Sequence, residues 1–275
     1  TNGGTIQEIL RDPEITIGLF SHTRPTAKKF LIAIKREFET NELLKSIYPD
    51  VLWKEPKREA PSWSEDGGLI VKRKGNPKES TLEGWGLVDG QPTSRHYLLR
   101  IYDDVVTRES VTTPEMVKKT TEALELSDNL GTRGGREWFI GTRYSMGDTY
   151  QTLLDRGAVI PRIYPATDDG TINGKPVLFT EEQWAKKKRD QPTTLPAQML
   201  QNPAGGAEAV FNLAWIKPFH VRPTPLHVYI LCDPSKGASA TSDRTAMAVI
   251  GLDVDRKKYL LDGFRHRMNL AERWE

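Results

Sequence analysis

Cysteine is nearly absent from this chain: Cys232 is the only one in 275 residues. No intramolecular disulfide can form, a zinc site built on a cysteine cluster is excluded, and a reducing cytosol is the expected compartment. Long apolar runs are missing too. No stretch approaches the ~20 residues of a bilayer-spanning helix, and the N-terminus shows no signal-peptide pattern, so no membrane role is expected. Charge of one sign is lacking: 39 Lys and Arg against 37 Asp and Glu leave a formal net charge of +2. That is too close to zero to argue by itself for a nucleic-acid partner. There is no internal repeat and no low-complexity tract. His220, His227 and His266 have no metal-ligand spacing and are expected to be structural. Also absent is G-x-x-x-x-G-K-S/T, the turn that cradles phosphates with backbone N–H groups.

What is present is a wet-surfaced globular composition, 37% hydrophobic and 28% charged, at a length that suggests about two domains. "EITIGLFS" (Glu14–Ser21) reads as a buried strand. The following segment has helical period, with Ala27, Phe30, Leu31, Ile34 and Phe38 on one face and Pro25 in the first turn. Gly67–Gly75, Thr81–Gly90 and Tyr97–Asp103 read as strands. Thr113 caps a helix that opens at Pro114 and runs to about Ser127. Arg136–Gly157 reads strand, polar turn, helix, with Gly157 closing the helix. "AVIPRIYPA" reads as an edge strand, because Pro161 cannot donate to a ladder. Thr180 and Gln183 have capping-box spacing. Strands alternating with helices predict an α/β domain with a mainly parallel sheet over residues 1–203. A proline-rich linker covers 204–225, and a fresh strand then opens a second domain over 226–275. There Arg244–Phe264 reads as a hairpin turning at Asp253–Lys258. Fifty-odd residues rarely build a core, so this sequence is expected to stop partway through that domain.

Chemistry concentrates at two strand ends. The apolar run Tyr97–Tyr102 ends on Asp103 and Asp104, and acids at the carboxyl edge of an α/β sheet stand where such sheets bind ligands. One can hold Mg²⁺ directly or through water and the other can orient an attacking water, which is the Walker B arrangement of an ATPase. The competing reading is a polar turn that caps the next segment. Further on, Gly141-Thr142-Arg143 ends the next strand, where helicase-like motors carry an element that senses the nucleotide.

Read in order, these segments resemble the large subunit of tailed-phage terminases, the motor that pumps DNA into a capsid. "ITIGLFSHTRPTAKKFLIAIKREFETNELL" is similar to that family's second strand and helix, and "LVDGQPTSRHYLLRIYDDVVT" to its Walker B region. "IGTRYSMGDTY" resembles its coupling motif, and "PAQMLQNP" the segment that closes its ATPase domain. The resemblance implies a P-loop NTPase-type, helicase-like sheet. Asp103 would hold the Mg²⁺ of MgATP, and Asp104 would stand where many members carry the catalytic glutamate, with a reach shorter by about 1.5 Å. Gly141, Thr142 and Arg143 would couple hydrolysis to movement. A trans-acting arginine finger is expected, with Arg24, Arg133 and Arg136 unranked. "TNGGTIQEILRDPE" looks like the remainder of the helix that follows the P-loop, so a piece of a longer polypeptide is expected.

The second strand end is Asp233, in "YILCDPSKGASATSDRTAMAVIGLD". This opening resembles ribonuclease H-like nucleases, whose first-strand aspartate bridges two divalent ions, Mg²⁺ or Mn²⁺. Asp243 would be an accessory acid or a turn cap, and Asp262 could face either side of the sheet. The resemblance as a whole implies an ATP-driven viral DNA-packaging motor with a metal-dependent endonuclease that cuts concatemers. Its partners would be double-stranded DNA, a portal ring, a small terminase subunit and the capsid. It would form a homo-oligomeric ring in the host-cell cytoplasm. Two alternatives stand beside it: a helicase or recombinase of the same folds, and a non-catalytic DNA-binding scaffold without a P-loop. Lys72–Lys78 and Lys186–Asp190 are expected to be solvated faces more than DNA contacts, and Trp53 and Trp63 to pack rather than stack on bases.

Overall fold

Residues 1–203, 217–235 and 244–266 are described by the computed structural model. The chain divides into two units, Thr1–Val210 and Phe211–Glu275. The division falls inside the segment read as a linker, of which 204–216 lies outside the described residues.

In the first unit, α1 (Asn2–Arg11) leads into β1 (Ile17–Ser21). β1 is buried at every position, as befits a parallel strand covered on both faces. α2 (Arg24–Thr40) follows with Pro25 in its first turn and buries Ala27, Leu31, Ile34 and Phe38 at helical spacing. Phe30, expected on the same stripe, flanks it half-buried. Two short helices, α3 (Glu42–Ile47) and α4 (Pro56–Glu59), precede a minimal antiparallel pair, β2 (Trp63–Ser64) and β3 (Gly68–Leu69). Then come β4 (Leu82–Gly86), β5 (Tyr97–Asp103), a 3-10 turn at Glu109–Val111 and α5 (Pro114–Asp128). β6 (Gly131–Ile140), α6 (Thr149–Asp155), α7 (Glu181–Asp190) and α8 (Leu195–Leu200) complete the unit.

The sheet order is β2-β3-β4-β1-β5-β6. β4, β1, β5 and β6 run parallel, and β2 and β3 add an antiparallel flank. The architecture is thus α/β with a mixed, mostly parallel sheet and flanking helices. Alternation sorts the side chains into two layers. Ile17, Leu19, Leu99 and Ile101 join Ile9 of α1 and the stripe of α2. Phe20 and Tyr102 join Leu124 of α5 and Tyr150 of α6. Phe20, Tyr102 and Phe139 are register neighbours and stack across three strands at 5.2 and 4.7 Å. Trp138 presses on α1 so closely that a Cβ at Gly4 would lie 3.3 Å from its ring.

Two expected strands are corrected. The 67–75 strand shrinks to Gly68–Leu69 because the next donors find loop partners instead of a ladder. Ile70 donates to Ser62 O, Val71 to Thr81 Oγ1 and Lys72 to Val51 O. Residues 158–166 form no strand. Pro161 and Pro165 have no N–H, while Ala158 donates back to Leu153 O and Ala166 to Met199 O. The basic turn is tied into the fold: Lys72 Nζ donates to Pro49 O and Lys78 Nζ to Ser94 O. Trp53 and Trp63 pack, donating to Ile70 O and to Glu39 Oε1.

The second unit is an antiparallel meander of β7 (His227–Asp233), β8 (Thr245–Leu252) and β9 (Lys258–His266), with β8 in the middle. The expected charged turn joins β8 to β9: Asp253 N–H donates to Lys257 O, and its Oδ1 accepts Lys257 N–H. β7 is exposed at all seven residues.

Candidate active site

Asp103 is the last residue of β5 and shares alternation with Leu99 and Ile101, so its side chain belongs to the layer of α1 and α2. There it meets the start of α1: the Thr1 hydroxyl donates to Asp103 Oδ2. Asp103 is 5% exposed. Burial, and then the charge of Asp104, push its carboxyl up to about 6. Asp104 turns out of the strand with φ of +46°. That left-handed conformation suits Asp and Asn far better than larger residues. It also sends consecutive carboxylates in different directions. Partial desolvation raises the Asp104 carboxyl from its ordinary value.

The two acids open into a cavity of about 540 Å³, lined also by Thr1, Asn2, Phe30, Ile140, Gly141 and Thr142. The structure therefore brings the paired acids together with two of the three residues read as a coupling element. Arg143 does not join them. Its Nε donates to both oxygens of Asp148, at 3.0 and 3.1 Å, and its Nη2 to Gln151 Oε1 at 2.8 Å. Asp148 is fully buried. It also accepts the N–H groups of Tyr144, Ser145 and Gln151, the last as the cap of α6. Arg143 thus organises its own loop.

The acid loop is held from three sides. Asp104 N–H donates to Ile140 O at 2.9 Å. Val105 O faces His22 Nδ1 at 3.2 Å. Tyr150 packs its ring with Val105 and Val106 and donates its hydroxyl to Ile140 O at 3.4 Å. Burial, followed by the charges around it, raises the Tyr150 hydroxyl and keeps it a neutral donor. Gly141 is required here: a Cβ on it would lie 2.3 Å from the Tyr150 oxygen.

Oxygen donors at Thr1 and Asp103 fit Mg²⁺, which keeps several waters and takes one or two carboxylates beside substrate phosphates. Such a site needs no cluster of acids. Among the described residues no group of three or more His, Cys, Asp or Glu could enclose an ion. Of the arginines left unranked, Arg136 is paired with the buried Glu8. Arg133 lies toward the amino end of β6, whose first residue pairs with Tyr97 and whose last pairs with Asp103. Arg24, just past the carboxyl end of β1, stands at the acids' edge, with its guanidinium over the Trp85 ring.

In the second unit Asp233 ends β7, opposite Ala246. Asp262 pairs with Val249, which pairs with Ile230. Ile230 and Asp233 are three apart on one strand, so Asp262 and Asp233 lie on opposite faces. Asp243 lies outside the described residues. Asp233 thus has no described acid beside it, and the described residues do not make up a two-ion site.

Sequence reading missed Thr1 and Tyr150. Only its contact with a strand end far along the chain distinguishes Thr1. An aromatic residue two places after a capping Asp was the one available signal for Tyr150. No protein-family model matches this chain, and no curated protein matches it.

Proposed function

We propose that the first unit is the ATP-hydrolysing part of a terminase-like DNA-packaging motor, with the paired acids as its hydrolytic centre. The observation that carries this reading is the hydrogen bond from Thr1 at the head of α1 to Asp103 at the end of β5. A hydroxyl at a helix N-terminus facing a strand-end carboxylate is the pairing that P-loop ATPases use around Mg²⁺. Thr1 and Asp103 would hold the ion, which would neutralise charge on the transferred phosphoryl group. Asp104, turned to the cavity by its left-handed backbone, would orient the attacking water and accept its proton. Gly141 and Thr142, on the same cavity, would sense the nucleotide. Proteins of this kind work as rings on double-stranded DNA, with portal, small-subunit and capsid partners. For this chain those partners rest on the sequence resemblance.

The second unit is proposed as the start of a ribonuclease H-like nuclease, supported by an antiparallel three-stranded opening with Asp233 at the end of its first strand.

The test is DNA-stimulated ATP hydrolysis by the full-length protein and its Asp104→Asn variant. Loss of about 100-fold or more in turnover, with ATP still bound, is expected of a general base. An unchanged rate would remove Asp104 from the chemistry and the motor reading with it. A helicase would also separate strands, whereas a packaging motor moves along intact duplex.

A further inference from the structure

We infer that Tyr150 is a positioning residue that fastens the acid loop to the Gly141-Thr142 loop, so that the two move as one body. This deepens the hydrolytic reading above, and its kinetic half rests on that reading.

Ile140 O, at the end of β6, receives both the Asp104 N–H at 2.9 Å and the Tyr150 hydroxyl at 3.4 Å. One side chain on α6 therefore touches both segments: its ring packs with Val105 and Val106, just past Asp104, and its hydroxyl bonds the carbonyl one residue before Gly141. The ring is 9% exposed and packs among Val105, Val106 and Leu124. α6, which carries it, is fixed by the Asp148 cap and by Thr149, whose hydroxyl meets that of Thr121 on α5 at 3.0 Å. A buried hydroxyl on an acceptor that also holds the Asp104 N–H costs more to break than a surface contact, because its loss loosens that acceptor for both segments. Gly141 lets the oxygen come this close, since any side chain there would push it away. A displacement of Gly141 or Thr142 by a ligand in the cavity then reaches Asp104 through Ile140 O and Tyr150, without passing through Arg143.

The experiment is Tyr150→Phe in the full-length protein, which keeps the ring and removes the hydroxyl. Amide hydrogen exchange is followed in peptides over 103–107 and 140–144, with α7 as an internal control, alongside steady-state ATP hydrolysis with DNA. Exchange should rise roughly tenfold in both segments together and stay unchanged in α7. kcat should fall about tenfold with KM for ATP within about twofold, the pattern of lost alignment rather than lost binding. Gly141→Ala, which drives a Cβ at the same oxygen, should loosen the same two segments. Unchanged exchange, or a rise in only one segment, would overturn the fastening. Faster exchange throughout, with kcat and KM moving together, would assign Tyr150 an ordinary packing role and overturn it as well. If the parent protein hydrolyses no ATP, the hydrolytic reading fails, and the exchange data still decide the fastening.

Discussion

Asp103 carries a carboxyl that costs the bare fold stability as pH rises. Its pKa is raised from 3.8 to about 6, so the folded chain holds that proton more tightly than the unfolded chain. The unfolded state then releases it first, and native stability is lost as pH rises from about 4 through about 6. In metal-free buffer, stability at pH 4 relative to pH 7 should therefore be higher in the parent than in Asp103→Asn. The difference should be about 1–2 kcal/mol once solvent screening is allowed for. Urea unfolding at the two pH values measures it, and an equal pH response in both proteins would place the source elsewhere. The residue beside it carries a different constraint. At φ of +46°, Asp104 occupies a backbone position where a glutamate would be strained, so its shorter side chain matches its local conformation.

At the scale of elements, legibility followed how local the deciding interaction is. α5 opens at Pro114 with the Thr113 side chain accepting Met116 N–H. α7 has the reciprocal Thr180–Gln183 bonds. Both were readable because cap and helix are adjacent in the chain. β1 and β5 were readable from unbroken apolar runs, as parallel strands buried on both faces must be. The 158–166 segment misled because β-branched residues favour a strand only where a neighbour offers a ladder. That Arg143 stands apart from the paired acids was not legible, because its partner Asp148 is a buried cap, and no pattern in the sequence states that burial. The α7 cap permits a direct measurement. Thr180→Ala removes one of the two reciprocal bonds and should weaken the helix by about 1 kcal/mol. Exchange within 181–190 should quicken about fivefold while β1 and β5 keep their protection; a change spread over the sheet would contradict a local cap.

At the scale of the molecule, the two candidate chemistries sit in separate units, with Asp103 and Asp104 in one and Asp233 in the other. Groups without shared partners act independently to a good approximation. Asp233→Asn should therefore abolish divalent-ion-dependent DNA cleavage by the full-length protein while its ATP turnover stays within about twofold. Parallel cleavage and hydrolysis assays on that one variant check it, and a joint loss would show that the two activities are not separable. Whether Asp262 stands beside Asp233 was not legible, because β7 and β9 put the two on opposite faces of a sheet whose register the sequence does not state.

The contact between Trp138 and Gly4 has a spectroscopic consequence. The indole lies on β6 two residues before Ile140, pressed against the helix whose head touches Asp103. Any shift of α1 against the sheet changes the polarity and quenching around that indole. A ligand in the cavity that moves α1 should therefore change the protein's own fluorescence, readable in a stopped-flow cuvette without a dye, a label or a coupled enzyme.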